Sequence, residues 1–358
     1  MRIAFVHRRG GDDEAVLGQA AALGRAGHDV HLVAADADDL RRTPGYATAR
    51  RTVTVTTGHG GDPVAALRAL RPDVVHVHHV SADPGRSWVA DWTGPLVATL
   101  HDHHPPCASA GLHRDGRYGG SRGARLPLAW ASRGGTADDP LLRRADRLIV
   151  LSETSRARYT RAGVAPERLA LVPHFVPDGT RGAMRPEPVW VYAGRLAQEQ
   201  GITELLRRWP AGQRLDVFGG GPRERECRAA APDSVTFRGV VEHAGLVRRL
   251  GRYQGLVLPG RFDDGLPLVY SEALAAGLPV LAFDGSPTAR TVRAEGTGTV
   301  ASWDASLPAA LRAASLVFPT LRAHCRARYE ETYGETQWVT GTERLYAAVV
   351  RAGAREFA

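Results

Sequence analysis

Residues 255–280 read GLVLPGRFDDGLPLVYSEALAAGLPV, and this stretch decides the fold. Leu256, Val257 and Leu258 form a short apolar run between glycines, which predicts a strand buried on both faces. A glycine-bearing turn follows, then a helix predicted over 268–276. Pro267 suits the first helical turn, where a missing N–H costs nothing. The turn brings Asp264 and the free N–H groups of Gly265, Leu266 and Leu268 to a helix N-terminus, where unpaired donors and the helix dipole favour an anion. Glu272 lies one helical turn in and eight residues after Asp264. Both carboxylates can therefore face one cleft, one on each side of a bound phosphate. A phosphate cradle with a sugar-sized gap between two acids points to an enzyme of nucleotide sugars.

Working outward, the same strand–helix alternation covers the chain. The first half predicts strands at 2–7, 29–35, 52–57, 73–79, 95–101, 146–152 and 168–174, with helices at 14–27 and 62–70. After the linker PDGTRGAMRPEP (177–188), further strands are predicted at 189–194, 214–219, 235–239, 255–260 and 279–284. Alternation of this kind implies parallel sheets with right-handed crossovers. The expected fold class is α/β, with two doubly wound Rossmann-like domains, 1–178 and 186–334, facing a cleft. Ligands of such sheets bind beyond the carboxyl ends of the strands.

Composition agrees with a soluble enzyme. A chain of 358 residues suits two domains. No run of eighteen apolar residues occurs, so no spanning helix is predicted. MRIAFVHRRGG (1–11) opens at once as a strand, without the order of a signal peptide. Cys107, Cys227 and Cys325 are scattered and odd in number, which favours a reducing cytoplasm over a disulfide framework. The formal charge is +8, every basic residue other than histidine is arginine, and lysine and asparagine do not occur. A GC-rich genome produces such usage. Arg8, Arg9, Arg41, Arg42, Arg114, Arg117, Arg122 and Arg125 lie in the first half, where they suit an anionic acceptor or peripheral contact with the inner membrane surface. No aromatic–basic interleaving points to nucleic acid.

The run EALAAGLPV (272–280), preceded by Asp264, resembles the donor-site motif of retaining GT-B glycosyltransferases of family 4, EGxPxxxxEAxAxGxPV. Asp264 stands for the first glutamate of that motif and is one methylene shorter. YAGRLAQEQG (192–201) resembles the family's GRLxxxKG element, whose arginine and lysine hold the donor diphosphate. Arg195 is in place, and Gln200 stands where the lysine belongs. Losing that cation from a partly buried phosphate site weakens donor binding by about 2 kcal/mol or more, unless Arg261 or Arg223 substitutes. FGGGP (218–222) resembles the family's glycine turn, and FRGVVEH (237–243) its base-reading loop around Gly239 and Val240. Gly10 and Gly11 resemble the loop that closes over the donor phosphate. Residues 331–350 resemble the C-terminal helix that packs back on the first domain, here about 335–358, with Trp338 and Tyr346 as core anchors.

His101, in TLHDHHPPC (99–107), resembles the active-site histidine between donor sugar and acceptor, with Asp102 able to orient it. The rival reading, a metal cluster of His101, Asp102, His103 and His104, asks adjacent residues of one loop to converge on one ion. His76 and His78 share a strand face; His78 reads as looking into the cleft and His76 as structural. Residues 103–140 form a long irregular stretch, which is uncommon unless functional or disordered. The resemblance places acceptor binding there, with His113, Arg114, Tyr118 and Trp130, besides His78, as candidate contacts.

The resemblance thus implies a metal-independent retaining hexosyltransferase without a cofactor, moving sugar from a nucleotide-sugar donor to a hydroxyl acceptor such as a natural product, polysaccharide or lipid. His101, Arg195 and Asp264 carry the chemistry. Gly10, Gly11, Gln200, Gly239, Val240, Gly265, Leu266, Pro267, Leu268 and Glu272 hold the donor. Gln200 and Asp264 keep open a catalytically silent nucleotide-binding protein of the same fold. A nucleotide-sugar isomerase is the third reading. A nicotinamide dehydrogenase is disfavoured, since HRRGGDDEAVLG (7–18) lacks G-x-G-x-x-G.

Overall fold

The computed structural model describes residues 1–7, 13–34, 46–49, 51, 53–57, 63–78, 88–101, 139–178, 186–260 and 266–356. Gly10, Gly11, Asp102, His103, His104, Cys107, His113, Arg114, Tyr118, Trp130, Arg261, Asp264 and Gly265 lie outside the described residues. The chain forms two compact units: Met1–Pro173 with Val339–Ala358, and His174–Trp338.

The first unit is built on β1 (Arg2–His7), β2 (Asp29–Ala34), β3 (Val53–Thr57), β4 (Val74–His78), β5 (Leu96–Leu100), β6 (Arg147–Val150) and β7 (Leu169–Leu171). They lie in the order β3-β2-β1-β4-β5-β6-β7, and neighbours run parallel. All of β4 is buried, as expected for a parallel sheet covered on both faces. Helices α1 (Asp13–Arg25), α2 (Val64–Leu70) and α3 (Glu153–Arg161) supply part of that cover. α1 stops two residues short of the expected end. Gly27 takes φ +90° and lets the His28 N–H close on Leu23 O at 3.1 Å. α3 starts where Ser152 accepts the Ser155 N–H at 3.1 Å, an N-cap.

The second unit carries β8 (Val189–Ala193), β9 (Arg214–Phe218), β10 (Val235–Gly239), β11 (Gly255–Leu258), β12 (Val280–Phe283) and β13 (Gly298–Ala301). Their order is β10-β9-β8-β11-β12-β13, again parallel. Between and after these strands run α4 (Ile202–Arg208), α5 (Glu224–Ala230), α6 (His243–Leu250), α7 (Leu268–Ala275), α8 (Pro287–Glu295), α9 (Leu307–Thr332) and α10 (Glu335–Glu356). The period-2 alternation of β8 feeds two cores: Val189, Val191 and Ala193 pack on the α7 side, Trp190 and Tyr192 on the other. β13 was not expected. Its GTVA is too short to signal, and Gly298 serves by letting Val280 O approach to 1.8 Å of where a Cβ would stand.

Residues 174–178 go with the second unit: the Val176 N–H donates to Tyr333 O at 3.1 Å, and Tyr329 Oη donates to Val176 O at 3.0 Å. From Val339 onward α10 belongs with the first unit. Trp338 and Tyr346 are both buried. Among the described residues no helix is long and apolar enough to cross a membrane.

Candidate functional site

In each sheet the strand order reverses once, between β1 and β4 and between β8 and β11. The crevice beyond the carboxyl ends at such a switch is where doubly wound sheets bind ligands. Each unit presents polar residues there.

In the second unit, glycines hold three loops against one another. The Leu196 N–H donates to Gly220 O at 2.9 Å, Arg223 N–H to Leu196 O at 2.9 Å, and Gly219 N–H to Gly239 O at 2.8 Å. Gly219 has φ +119°, and a Cβ on it would lie 2.0 Å from Gly194 O. Only glycine allows this approach. Arg195 therefore leaves β8 on a pinned backbone, whose carbonyl also accepts the buried Tyr192 hydroxyl at 2.9 Å. Burial pushes the Tyr192 phenol well above its usual value, so it stays a donor. The Arg195 side chain is exposed, and among the described residues no carboxylate pairs with it.

Gln200 ends a 3₁₀ turn, Gln198–Gln200, and is half-buried. Gly201 follows with φ +65°, where a Cβ would meet Pro259 O at 2.4 Å. The Arg195–Gly201 loop thus lies against the chain leaving β11. Arg223, the candidate replacement cation, has its guanidinium engaged by Glu226 at 2.5 Å and by Gln198 Oε1 at 2.8 Å. It braces the turn that bears Gln200.

α7 begins at Leu268, and Pro267 is its extended N-cap rather than a member of the first turn. No side chain caps this end, so the first-turn N–H groups of Leu268 and Val269 have no intrahelical acceptor. Leu266 packs against the core and Leu268 is exposed. Glu272 is 4 % exposed, and its Oε1 lies 2.6 Å from His243 Nε2. His243 opens α6, 29 positions earlier in the chain, and sequence reasoning passed over it. No local pattern signals the pairing, which exists only because α6 and α7 pack together. Gly239 takes φ +69°, and Val240 beyond it is 81 % exposed.

In the first unit, His7, His78 and His101 lie at or just past the carboxyl ends of β1, β4 and β5. His101 is half-buried, and its Nε2 is 3.0 Å from His78 Nδ1. His78, expected among acceptor contacts, has no exposed surface. His76 is also buried, with Nδ1 2.5 Å from Tyr346 Oη and Nε2 2.7 Å from Thr99 Oγ1. Burial pushes the His76 imidazole down to about 3, so it is neutral. Among the described residues no three His, Cys, Asp or Glu side chains could together hold a metal.

Two family descriptions match the chain: Glycosyltransferase Family 4 over residues 10–179 and Glycosyl transferases group 1 over residues 187–316. The chain is 31 % identical over 237 residues to the exopolysaccharide phosphotransferase SCO2592 of Streptomyces coelicolor. That match covers 61 % of this chain and 22 % of that protein, so the chain spans about a fifth of its length. The GDP-mannose-dependent alpha-mannosyltransferase of Mycobacterium tuberculosis is 27 % identical over 311 residues, 78 % of this chain and 77 % of that protein. Among solved structures, Anabaena Alr3699/HepE in complex with UDP superposes with a TM-score of 0.70 at 15 % identity, over 97 % of this chain and 100 % of that one. At that identity the likeness is one of fold, two Rossmann-like domains in the GT-B manner. With one half of the family matched on each parallel sheet, in order along the chain, this protein belongs to glycosyltransferase family 4.

Proposed function

We propose that the protein transfers a sugar from a nucleoside-diphosphate sugar to a hydroxyl acceptor, with retention of anomeric configuration and without a metal. The observation that carries the reading is the pairing, at one switch point, of an exposed Arg195 on a pinned backbone with an uncapped helix start and a buried Glu272. The second unit holds the donor. Arg195 and the first-turn N–H groups of α7 neutralise the diphosphate. Glu272, held by His243, accepts from the ribose hydroxyls. The Gly239 backbone and exposed Val240 meet the base, and Asp264 bonds sugar hydroxyls.

As the glycosidic bond breaks, negative charge grows on the leaving phosphate and positive charge on the anomeric carbon. Fixed donors aimed at the phosphate lower that barrier because they need no reorganisation. The acceptor hydroxyl attacks the face the phosphate leaves, and the phosphate takes its proton. The first unit supplies the acceptor side, where His101 acts as a neutral hydrogen-bonding group.

The mannosyltransferase relative is named for GDP-mannose, whereas HepE is seen with UDP and with UDP-glucose. We place the reaction in the cytoplasm, in keeping with the free thiols of buried Cys227 and Cys325, with the formal charge of +8 suited to an anionic membrane surface or acceptor.

Calorimetric titration with UDP-, GDP-, ADP- and TDP-sugars in the presence of a chelator tests the donor site. Tight binding of one donor supports the reading, and silence across the panel favours a fold that has lost its donor. Glu272→Ala is expected to weaken the binding donor 10- to 100-fold, about 1.5–3 kcal/mol for a charge-assisted hydrogen bond. Equal affinity would remove Glu272 from the site. Retention is read from the anomeric coupling of the product.

A further inference from the structure

We propose that His78 is a positioning residue for His101, fixing the plane and tautomer of its ring from below; the inference rests on the role given to His101 above. His78 is fully buried at the end of β4. One side of it meets His101, Nδ1 to Nε2 at 3.0 Å. Among the described residues two further rings pack on it: His76 at 4.0 Å and Phe5 at 4.7 Å between centroids. His76 is itself held from both nitrogens, by Tyr346 of α10 and Thr99 of β5. Phe5 sits edge-on to His76 at 5.0 Å. The His78 ring therefore cannot turn about its Cβ–Cγ bond without colliding with Phe5 or His76 and breaking its bond to His101.

The chemistry of the pair follows from proton counting. A bond between two neutral imidazoles holds one proton, so one ring donates and the other accepts. The tautomers of His78 and His101 are thus coupled, and the coupling sets whether His101 Nδ1 is a donor or an acceptor. A hydrogen bond made by one ring nitrogen setting the behaviour of the other is the general way histidines are tuned. A sugar hydroxyl adapts to either role, but a ring that flips between them loses its alignment with the reacting group. Misplacement of that kind costs about 100-fold in rate.

Histidine-labelled protein examined by long-range proton–nitrogen NMR reads the ring nitrogens of His101 directly. Wild type is expected to show one tautomer of His101. His78→Asn keeps an amide group where Nδ1 stood and should preserve it. His78→Gln puts the amide one bond too far, and His78→Phe removes it; both should give His101 averaged nitrogen shifts. Unchanged His101 shifts in His78→Phe, with the fold intact by circular dichroism, would overturn the inference. Release of UDP from UDP-glucose and of GDP from GDP-mannose supplies the kinetic arm. In His78→Phe kcat is expected to fall about 100-fold with donor KM unchanged, with rescue in His78→Asn. A fall in which Asn is no better than Phe reduces His78 to a packing residue and also overturns it. If His101→Ala leaves nucleotide release untouched, the reading of His101 fails while the tautomer result stands by itself.

Discussion

At the scale of single residues, the proposed donor site is a matter of charges met and left unmet. Arg195 faces no carboxylate among the described residues, whereas Arg223 is tied to Glu226 and Gln198. A cation already neutralised by a neighbour adds little to a phosphate site, so the position of Gln200 lacks a replacement in Arg223. Gln200→Lys is therefore expected to tighten binding of a nucleoside diphosphate about 10-fold or more, measured by calorimetry. Unchanged affinity would mean that another arginine already fills the role. His76 makes a different prediction. Its imidazole titrates near 3 in the folded state against 6.5 in the unfolded chain. Above pH 6.5 both states are neutral and the group is silent. As pH falls below that, only the unfolded state takes the proton, so stability drops by about 1.4 kcal/mol per pH unit towards pH 3. His76→Phe should remove this slope from denaturant unfolding measured between pH 4 and 6, approximately the middle of that window. A variant as steep as wild type would show that His76 is protonated in the fold.

At the scale of elements, glycines decide how closely the site loops approach one another. Gly219 and Gly201 both lie in the left-handed region, and each faces a backbone carbonyl that a Cβ would overlap. A carbonyl of the main chain cannot swing aside as a side chain can. Gly219→Ala is expected to cost at least about 2 kcal/mol and to displace Arg195 through the Gly194 contact. Denaturant unfolding and nucleotide affinity should fall together; full stability would mean that the Gly194 turn yields. The strands themselves were legible because parallel strands buried on both faces leave unbroken apolar runs such as Leu256–Leu258. Their ends were less so: helix α1 stops at Arg25 because the local Gly27 turn closes it, and β13 was missed because four small residues carry no periodicity.

At the scale of the whole molecule, each unit has its own core, and α10 lends its later residues to the first. Tyr346, from that helix, is buried and anchors His76. Its loss leaves a cavity and an unsatisfied imidazole at once. Tyr346→Ala is expected to destabilise the first unit by about 3–5 kcal/mol, seen as an earlier unfolding transition. Nucleotide binding, which we propose for the second unit, should persist at low temperature. Loss of both together would mean that the units do not unfold separately.

The amino-acid sequence by itself determined the α/β class, the two parallel sheets and the family, because strand runs, glycine turns and the GRL and EALAAGLPV elements are local patterns that stay readable one window at a time. It also named Arg195 and Glu272 as candidates. Only the tertiary structure decided what those residues touch. His243 reaches Glu272, Arg223 is spent on Glu226 and Gln198, and Tyr346, His76, His78 and His101 join across three elements. Such pairings link positions far apart in the chain, and a contact made by packing two helices or two strand ends leaves no trace in the spacing of either partner.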